Sequence, residues 1–186
     1  MGVDIYGWVE VKEKWGWEGI INVSDLLGRN YDMFGMLFDV KNYTGFEAIA
    51  PYRGLPNDAS WITKRTYKEG GPYVFGATWV TWKELKEINW DEVSQDFDGR
   101  VHIYIVKEDG SEEYVGKAWL TSALTVDEYK RIWNGEEVRK GNRIYRAERL
   151  CRKDILEEDW KILFELMEVL AKYYGDENVR LVVWFD

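Results

Sequence analysis

Apolar and polar residues alternate at the start of the chain, which is the spacing of a strand that buries one face. The apolar members of this alternation are Val3, Ile5, Gly7, Val9 and Val11. Residues 15–23 are expected to return as the antiparallel partner of this strand. The closing segment 179–185 is apolar on both faces, which predicts an interior strand of a sheet.

Helical spacing is strongest over residues 157–174, and Gly175 follows as a natural helix end. The apolar stripe of this segment consists of Trp160, Leu163, Phe164, Met167, Leu170 and Ala171. Shorter helices are predicted after Asn30, Thr81 and Thr125, because each of these side chains can accept a hydrogen bond from a first helical turn. Another short helix carries Trp61, with Asn57, Asp58 or Ser60 as its cap.

A β-hairpin is predicted over residues 100–107 and 113–119, with Asp109-Gly110 in the turn. Together these patterns predict an α+β fold with a mostly antiparallel sheet, a long C-terminal helix and several short helices. The chain has 186 residues, which suits a single domain over residues 1–186.

Composition and net charge limit the classes of function that the chain can have. Aromatic residues make up 16% of the chain, with 11 Trp and 12 Tyr, and such rings fill cores and also anchor binding surfaces. The net charge is −9, whereas a nucleic-acid groove needs a basic stripe. Direct nucleic-acid binding is therefore disfavoured, and an acidic surface that meets a basic partner is one alternative to an acidic surface that only keeps the chain in solution.

The cellular setting is predicted from what the sequence lacks. Cys151 is the single cysteine, so no internal disulfide can form. No secretory signal and no apolar run long enough for a membrane span is visible. A cytoplasmic location without membrane association is expected.

The segment Pro51–Ser60 is the most site-like part of the chain. Two of the three prolines flank Gly54 here, so the backbone shape is restricted. Such a loop presents Arg53, Asn57 and Asp58 from a fixed frame.

Several short motifs resemble a phage and prophage family whose members are usually labelled hypothetical proteins. They are Met-Gly-x-Asp-Ile at the start, Gly28-Arg-Asn-Tyr-Asp-Met-Phe, Asp39-Val-Lys-Asn, Ile49-Ala-Pro-Tyr-Arg-Gly-Leu-Pro-Asn-Asp-Ala-Ser and the closing Asn178-Val-Arg-Leu-Val-Val-Trp-Phe-Asp. The resemblance extends from the first residue to the last. It implies a viral or mobile-element context and no settled biochemical function.

The family pattern differs from this chain at positions that could bind metal. Many members that it resembles have a histidine where this chain has Tyr6, and histidines where it has Phe75 and Ala77. Neutral imidazoles beside carboxylates suit a divalent metal. Because these ligands are missing, no metal and no cofactor is expected here.

Two constellations of charged residues are candidate sites. Asp4, Glu10 and Asp58, with Asp32 as a further member, could together hold Mg²⁺ or share a proton. The alternative is that Asp4 pairs with an arginine and Asp58 caps a helix. Strand geometry places Asp4, Tyr6, Trp8 and Glu10 on one face.

Arg29 and Arg53 form the second constellation, since two guanidiniums can clamp a phosphate or carboxylate. The alternative is that both make salt bridges that anchor a long loop. If the two constellations converge, a ligand-binding pocket contains Asp4, Tyr6, Arg29, Arg53, Asp58 and Trp79.

Catalytic residues are not assigned. His102, the single histidine, lies within a predicted strand, and the sequence signals no partner that would make it a base. Cys151 lies among basic residues but has no histidine beside it. Whether the chain is an enzyme is left open.

Three functional hypotheses follow. The first is a phage-type accessory protein that binds a host protein, in the favoured version as an inhibitor of a nucleic-acid-handling or defence system. The second is an enzyme or small-molecule binder whose pocket is formed by the first strand and residues 51–60. The third is a homo-oligomeric scaffold that associates through exposed rings.

Overall fold

The computed structural model describes residues 2–186, and this part of the chain contains eight β-strands and five α-helices. The strands are β1 (Ile5–Glu13), β2 (Gly16–Asn22), β3 (Phe75–Thr81), β4 (Val101–Val106), β5 (Glu112–Ala118), β6 (Val138–Lys140), β7 (Arg143–Arg146) and β8 (Val179–Phe185). The helices are α1 (Tyr31–Phe38), α2 (Trp61–Glu69), α3 (Trp82–Lys86), α4 (Val126–Trp133) and α5 (Glu158–Tyr174). The contacts divide the chain into two compact units.

The first unit comprises the residues up to Asn42, Glu47–Asp91 and Arg152–Asp186. Its sheet has the order β2-β1-β8-β3, and every neighbouring pair is antiparallel. All seven residues of β8 are buried, as expected of a strand with a neighbour on each side and packed layers above and below. The predicted interior position of this strand is confirmed.

Aromatic side chains fill the layer between one face of this sheet and helices α1 and α5. The ring of Phe185 in β8 lies 5.2 Å from that of Phe34 and 6.0 Å from that of Phe38, measured between centroids. Trp160 of α5 packs against both α1 rings and is fully buried. Rings in such tilted and edge-to-face arrangements bury large areas and are the main source of stability in this layer.

The opposite face of the sheet is covered by α2. The Trp8 side chain of β1 donates from Nε1 to Thr66 Oγ1 at 3.0 Å, and Tyr67 stacks edge-on against Trp184 at 5.4 Å. Gly7 has a φ of 153°, and a Cβ at this position would collide with the backbone of Val182 in the neighbouring strand β8. This close approach explains the glycine in the middle of a strand.

Helix starts follow the capping residues that the sequence predicts. Asn30 accepts from Met33 N at 2.9 Å, and Thr81 and Thr125 both form complete capping boxes with a glutamate three residues later. For α2, the cap is Ser60 and not Asn57 or Asp58. The backbone amide of Gly175 closes α5 on Ala171 O.

The second unit comprises Tyr43–Phe46 and Glu92–Cys151. Its antiparallel sheet has the order β5-β4-β7-β6, and the predicted hairpin of residues 100–119 corresponds to β4 and β5. Helix α4 packs on this sheet through a small core. That core consists of Val101, Leu124, Ile132, Val138 and Tyr145.

The predicted α+β class is confirmed, as are the antiparallel sheets, the long C-terminal helix and the short helices. The assignment of residues 1–186 to a single domain stays a prediction. Among residues 2–186, no α-helix has the length and apolar composition that crossing a bilayer requires.

Helix α5 offers a matched pair of substitutions that tests the described packing. Leu163 is fully buried and Leu166, three residues later, is 40% exposed. We expect Leu163→Ala to lower the free energy of unfolding by about 2–5 kcal/mol, because it leaves a cavity. Leu166→Ala should cost about 0.5–1 kcal/mol. Urea unfolding followed by circular dichroism measures both, and equal losses would contradict this orientation of α5.

Candidate functional site

The loop of residues 51–60 is held against two strands of the first unit. Gly54, at a φ of 77°, donates its backbone N–H to Ala77 O at 2.9 Å. The backbone N–H of Arg53 donates to Thr78 Oγ1 at 3.3 Å, and that of Ser60 donates to Glu10 Oε1 at 2.8 Å. The loop therefore connects the edge strand β3 with β1, and glycine is needed where the chain turns in the left-handed region.

A buried ion pair between Glu10 and Arg180 lies beneath this loop. Arg180 Nε is 2.8 Å from Glu10 Oε2, and both residues are at most 4% exposed. Glu10 Oε1 also accepts from the hydroxyl of Thr63 at 2.6 Å. A carboxylate removed from water needs such partners, so Glu10 fixes the N-terminus of α2 on the sheet.

Arg180 extends this network to the loop. Its Nη1 is 3.0 Å from Asp58 Oδ1, and Trp17 Nε1 donates to Asp58 Oδ2, also at 3.0 Å. Partial burial acts to raise the pKa of Asp58, but the hydrogen bonds from Arg180 and Trp17 outweigh it and hold this pKa below its usual value. Asp58 is therefore a charged partner of Arg180 and not a helix cap.

Guanidinium groups and indole rings alternate across this region. The guanidinium carbon of Arg53 lies 5.1 Å from the centroid of Trp79, and that of Arg180 lies 5.9 Å from the same ring. The guanidinium carbon of Arg180 also lies 3.8 Å from the centroid of the Trp17 ring. We call Arg53, Trp79, Arg180 and Trp17 the Arg–Trp ladder, and its cation–π contacts hold the four side chains in fixed positions.

Arg53 is anchored by Glu84 at the start of α3. Its Nη2 is 2.7 Å from Glu84 Oε1 and its Nη1 is 3.1 Å from Oε2, a bidentate pair. Burial acts to raise the pKa of Glu84, and the hydrogen bonds from Arg53 and Thr81 outweigh it, so this pKa is lowered. This agrees with the alternative in which Arg53 makes a salt bridge that anchors the loop.

These side chains surround an open cleft of about 380 Å³, which we call the first cleft. It is lined by Arg53, Leu55, Pro56, Asn57, Asp58, Trp79 and Arg180. In and beneath it lie two guanidiniums and the three carboxylates of Glu10, Asp58 and Glu84, which leaves one net negative charge. The buried Nη2 of Arg180 has no hydrogen-bond partner among the described residues.

Asp4 and Arg29 lie at the opposite end of β1. Arg29 Nε is 2.5 Å from Asp4 Oδ1, and its Nη2 is 2.7 Å from Oδ2. The hydrogen bonds from Arg29 lower the pKa of Asp4. Both side chains are about half exposed, so this pair adds little to stability.

Tyr6 lines a second cleft of about 360 Å³, together with Trp8, Gly70, Val74, Trp184 and Asp186. Burial and the nearby charge of Asp186 raise the pKa of Tyr6. Its phenol is therefore neutral at pH 7. The cleft has aromatic walls and lies on the α2 side of the sheet.

The six residues predicted to form one pocket do not converge. They fall into two groups. Arg53, Asp58 and Trp79 share the first cleft, whereas Tyr6 lines the second cleft and the paired charges of Asp4 and Arg29 lie close enough to act on its phenol. Asp4 and Glu10 point to one side of β1, but six residues of strand separate them by about 20 Å. Ligand binding by these residues stays a prediction.

The carboxylates of the first constellation are also dispersed. Glu10 and Asp58 share Arg180, Asp4 pairs with Arg29, and Asp32 lies in the first turn of α1. Within residues 2–186, no group of three or more His, Cys, Asp or Glu side chains is arranged to hold a metal ion. The proposed Mg²⁺ cluster is therefore not assembled.

His102 lies in a buried charge network of the second unit. Its Nε2 is 2.9 Å from Asp98 Oδ2 and its Nδ1 is 3.3 Å from Glu148 Oε2. Asp98 also pairs with Arg100 and Lys117, and Glu148 accepts from Tyr104. The positioned partners that the sequence did not signal are thus present, but the ring is 3% exposed and a substrate does not reach it in this structure.

The sequence interpretation missed three members of the first site, which are Trp17, Glu84 and Arg180. A usable signal existed for Arg180, because it is the one charged residue in the apolar run of β8 and a buried charge needs a partner. For His102, the signal was Asp98 four residues earlier.

Comparisons of the chain with protein families, with curated proteins and with solved structures found no match. Two properties of the molecule therefore bear on its function, which are the geometry and the charge of the first cleft. These two properties can be tested directly by substitution.

The buried ion pair predicts unequal costs for two arginine substitutions. We expect Arg180→Met to lower the free energy of unfolding by about 3–5 kcal/mol, because it leaves the Glu10 carboxylate buried and unpaired. Arg53→Met removes a partly exposed pair and should cost about 1 kcal/mol or less. Chemical unfolding at pH 7 measures both. A loss at Arg180 no larger than that at Arg53 would show that Glu10 does not depend on it.

The network around Asp98 predicts a particular acid sensitivity. Burial acts to raise the pKa of Asp98, but His102, Arg100 and Lys117 outweigh it and lower the pKa from 3.8 to about 2. A carboxyl with a lowered pKa stabilises the fold above its unfolded value, and this contribution is lost as pH falls from about 4 to about 2. It amounts to about 2 kcal/mol.

Asp98→Asn should therefore flatten the fall in stability between pH 4 and pH 2 relative to the unsubstituted chain. Asp127→Asn is the matched control, because the Asp127 side chain is 89% exposed and pairs on the surface with Lys130. Urea titrations at several pH values supply the comparison. Parallel curves for the Asp98 variant and the unsubstituted chain would contradict the assignment.

Proposed function

We propose that this chain is a non-catalytic accessory protein of the phage type that its sequence resembles, and that it acts by binding a host protein in the cytoplasm. In the version we favour, the partner handles nucleic acid or belongs to a defence system, and binding inhibits it. The proposal places the contact at the first cleft, beside residues 51–60.

The observation that supports the proposal is the composition of the cleft. Its Arg–Trp ladder presents the residue types that dominate binding energy at protein interfaces, in positions that are already fixed. Leu55 and Pro56 add an apolar wall. The carboxylates of Asp58 and Glu84 are engaged by arginines, so their chemistry suits recognition more than proton transfer.

The charge of the cleft indicates what kind of group it accepts. With one net negative charge, the cleft favours a cation, and the Asp58 side chain is 65% exposed. A lysine or arginine of the partner can approach Asp58 while its aliphatic stem lies against Trp79 and Leu55. The whole-chain charge of −9 steers a basic surface towards it. Proteins that bind nucleic acid carry such a surface.

A small-molecule binder is the second candidate, and the size and lining of the first cleft favour it. The cleft has a volume of about 380 Å³ and is lined by Arg53, Asp58 and Trp79. A concave site of this size with a few polar groups is typical of small-molecule sites. The net negative charge disfavours a highly charged anion in the same place.

Affinity capture from bacterial lysate tests the proposal. We expect the immobilised chain to retain a specific basic protein, and we expect Trp79→Ala and Asp58→Asn to weaken that binding by at least tenfold. Added double-stranded DNA should compete for the retained protein. Titration of the purified partner by calorimetry gives the fold-change.

Trp15→Ala is the matched control, because Trp15 is 89% exposed at the tip of the β1–β2 hairpin and should leave binding unchanged. Recovery of no specific protein would contradict the proposal. So would a partner that binds the cleft variants and the unsubstituted chain equally, or one that DNA does not displace. Saturable binding of a small carboxylate with no protein partner would favour the second candidate.

A further inference from the structure

Helix α5 carries a second apolar stripe that faces solvent. It consists of Ile162, Leu166, Val169 and Tyr173, which are 41%, 40%, 62% and 85% exposed. Their spacing of four, three and four residues places them on one line along the helix. We call this line the outer stripe, to distinguish it from the buried face that holds Leu163 and Met167.

The spacing of the outer stripe matches the seam of a helix pair. Apolar residues that alternate three and four apart occupy the a and d positions of a heptad, and such positions interdigitate with those of a facing helix. The buried face of α5 already packs on α1 and on the sheet of its own unit. The outer stripe is thus an additional apolar surface. Apolar residues that are exposed singly and by chance would not show this regular spacing.

Charged residues border the outer stripe on one side only. Glu165 and Lys172 lie on this border, and Leu163 and Leu170 lie on the opposite border towards the core. Glu165 and Lys172 are one heptad apart and have opposite charges. A facing helix must therefore place its own charged border against this one.

A second copy of α5 in antiparallel orientation meets this requirement. With Leu166 opposite Val169 of the second copy, Ile162 lies opposite Tyr173. The same register places Glu165 opposite Lys172, and by symmetry the contact occurs twice. In a parallel pair, the charged border would face the apolar border instead.

We propose that the chain self-associates through α5, as an antiparallel pair with the outer stripe as its seam. A helix of 17 residues is about 25 Å long, so the seam is smaller than a standard stable interface. The pair should therefore form reversibly as the protein concentration rises. This inference does not depend on the proposed host partner or on the first cleft.

Sedimentation equilibrium over a range of concentrations tests the proposal with the full chain. We expect the mass to rise towards that of a dimer, and we expect Leu166→Lys to keep it at that of a monomer. Glu165→Lys and Lys172→Glu should each weaken the dimer by about tenfold, because each places like charges opposite one another twice. The double variant Glu165→Lys/Lys172→Glu should restore association.

Lys161→Glu is the control for charge reversal away from the seam, since Lys161 pairs with Glu158 and should leave the dimer unchanged. Circular dichroism of each variant verifies folding, and the double variant separates loss of pairing from loss of structure. A monomer at every concentration would overturn the proposal. A dimer that is indifferent to the charge reversals, or that the double variant fails to restore, would overturn it as well.

Discussion

The ion pair between Glu10 and Arg180 determines how the first unit is arranged around its sheet. The two residues face each other on adjacent strands β1 and β8, so their contact forms within the strand register itself. Each carries more hydrogen-bonding capacity than the other can satisfy. Glu10 therefore also engages Ser60 and Thr63, and Arg180 engages Asp58. In this way one buried charge pair locates both the loop of residues 51–60 and α2.

The same arrangement explains why the first cleft is suited to recognition. Its charged groups are held by neighbours of opposite sign, and Trp79 contacts the guanidiniums of both Arg53 and Arg180. Side chains that are already ordered lose little entropy when a partner arrives, which favours binding. Because its charges are paired locally, the cleft has a weak electrostatic field. A partner would recognise mainly its shape and its aromatic surface.

Much of the fold could be predicted from local patterns. Alternation identified β1, the 3.6-residue period identified α5, and capping side chains identified the starts of α1, α3 and α4. Each of these signals depends on residues close in sequence. The candidate site was predicted only in part. The loop of residues 51–60 was identified together with Arg53, Asn57 and Asp58, because its prolines and glycine affect the backbone locally.

The remainder of the site depends on long-range register. Nothing near Asp58 in the sequence indicates that Arg180, 122 residues later, is its partner. Asp4 and Glu10 lie on one face of the strand, which means that their side chains point in the same direction. It does not mean that they are close together along the strand. The alternatives in which Asp4 and Arg53 form salt bridges agree with the structure. Sequence spacing alone could not choose between them and a ligand site.

The central position of β8 has a consequence for synthesis on the ribosome. Among residues 2–186, this strand is the last of the eight, yet it lies between β1 and β3. Until it emerges, both neighbours lack their central partner, and the Glu10 carboxylate lacks its counter-charge. Contacts so distant in sequence form slowly and expose unpaired edges meanwhile. The nascent first unit therefore remains open until translation has passed residue 185.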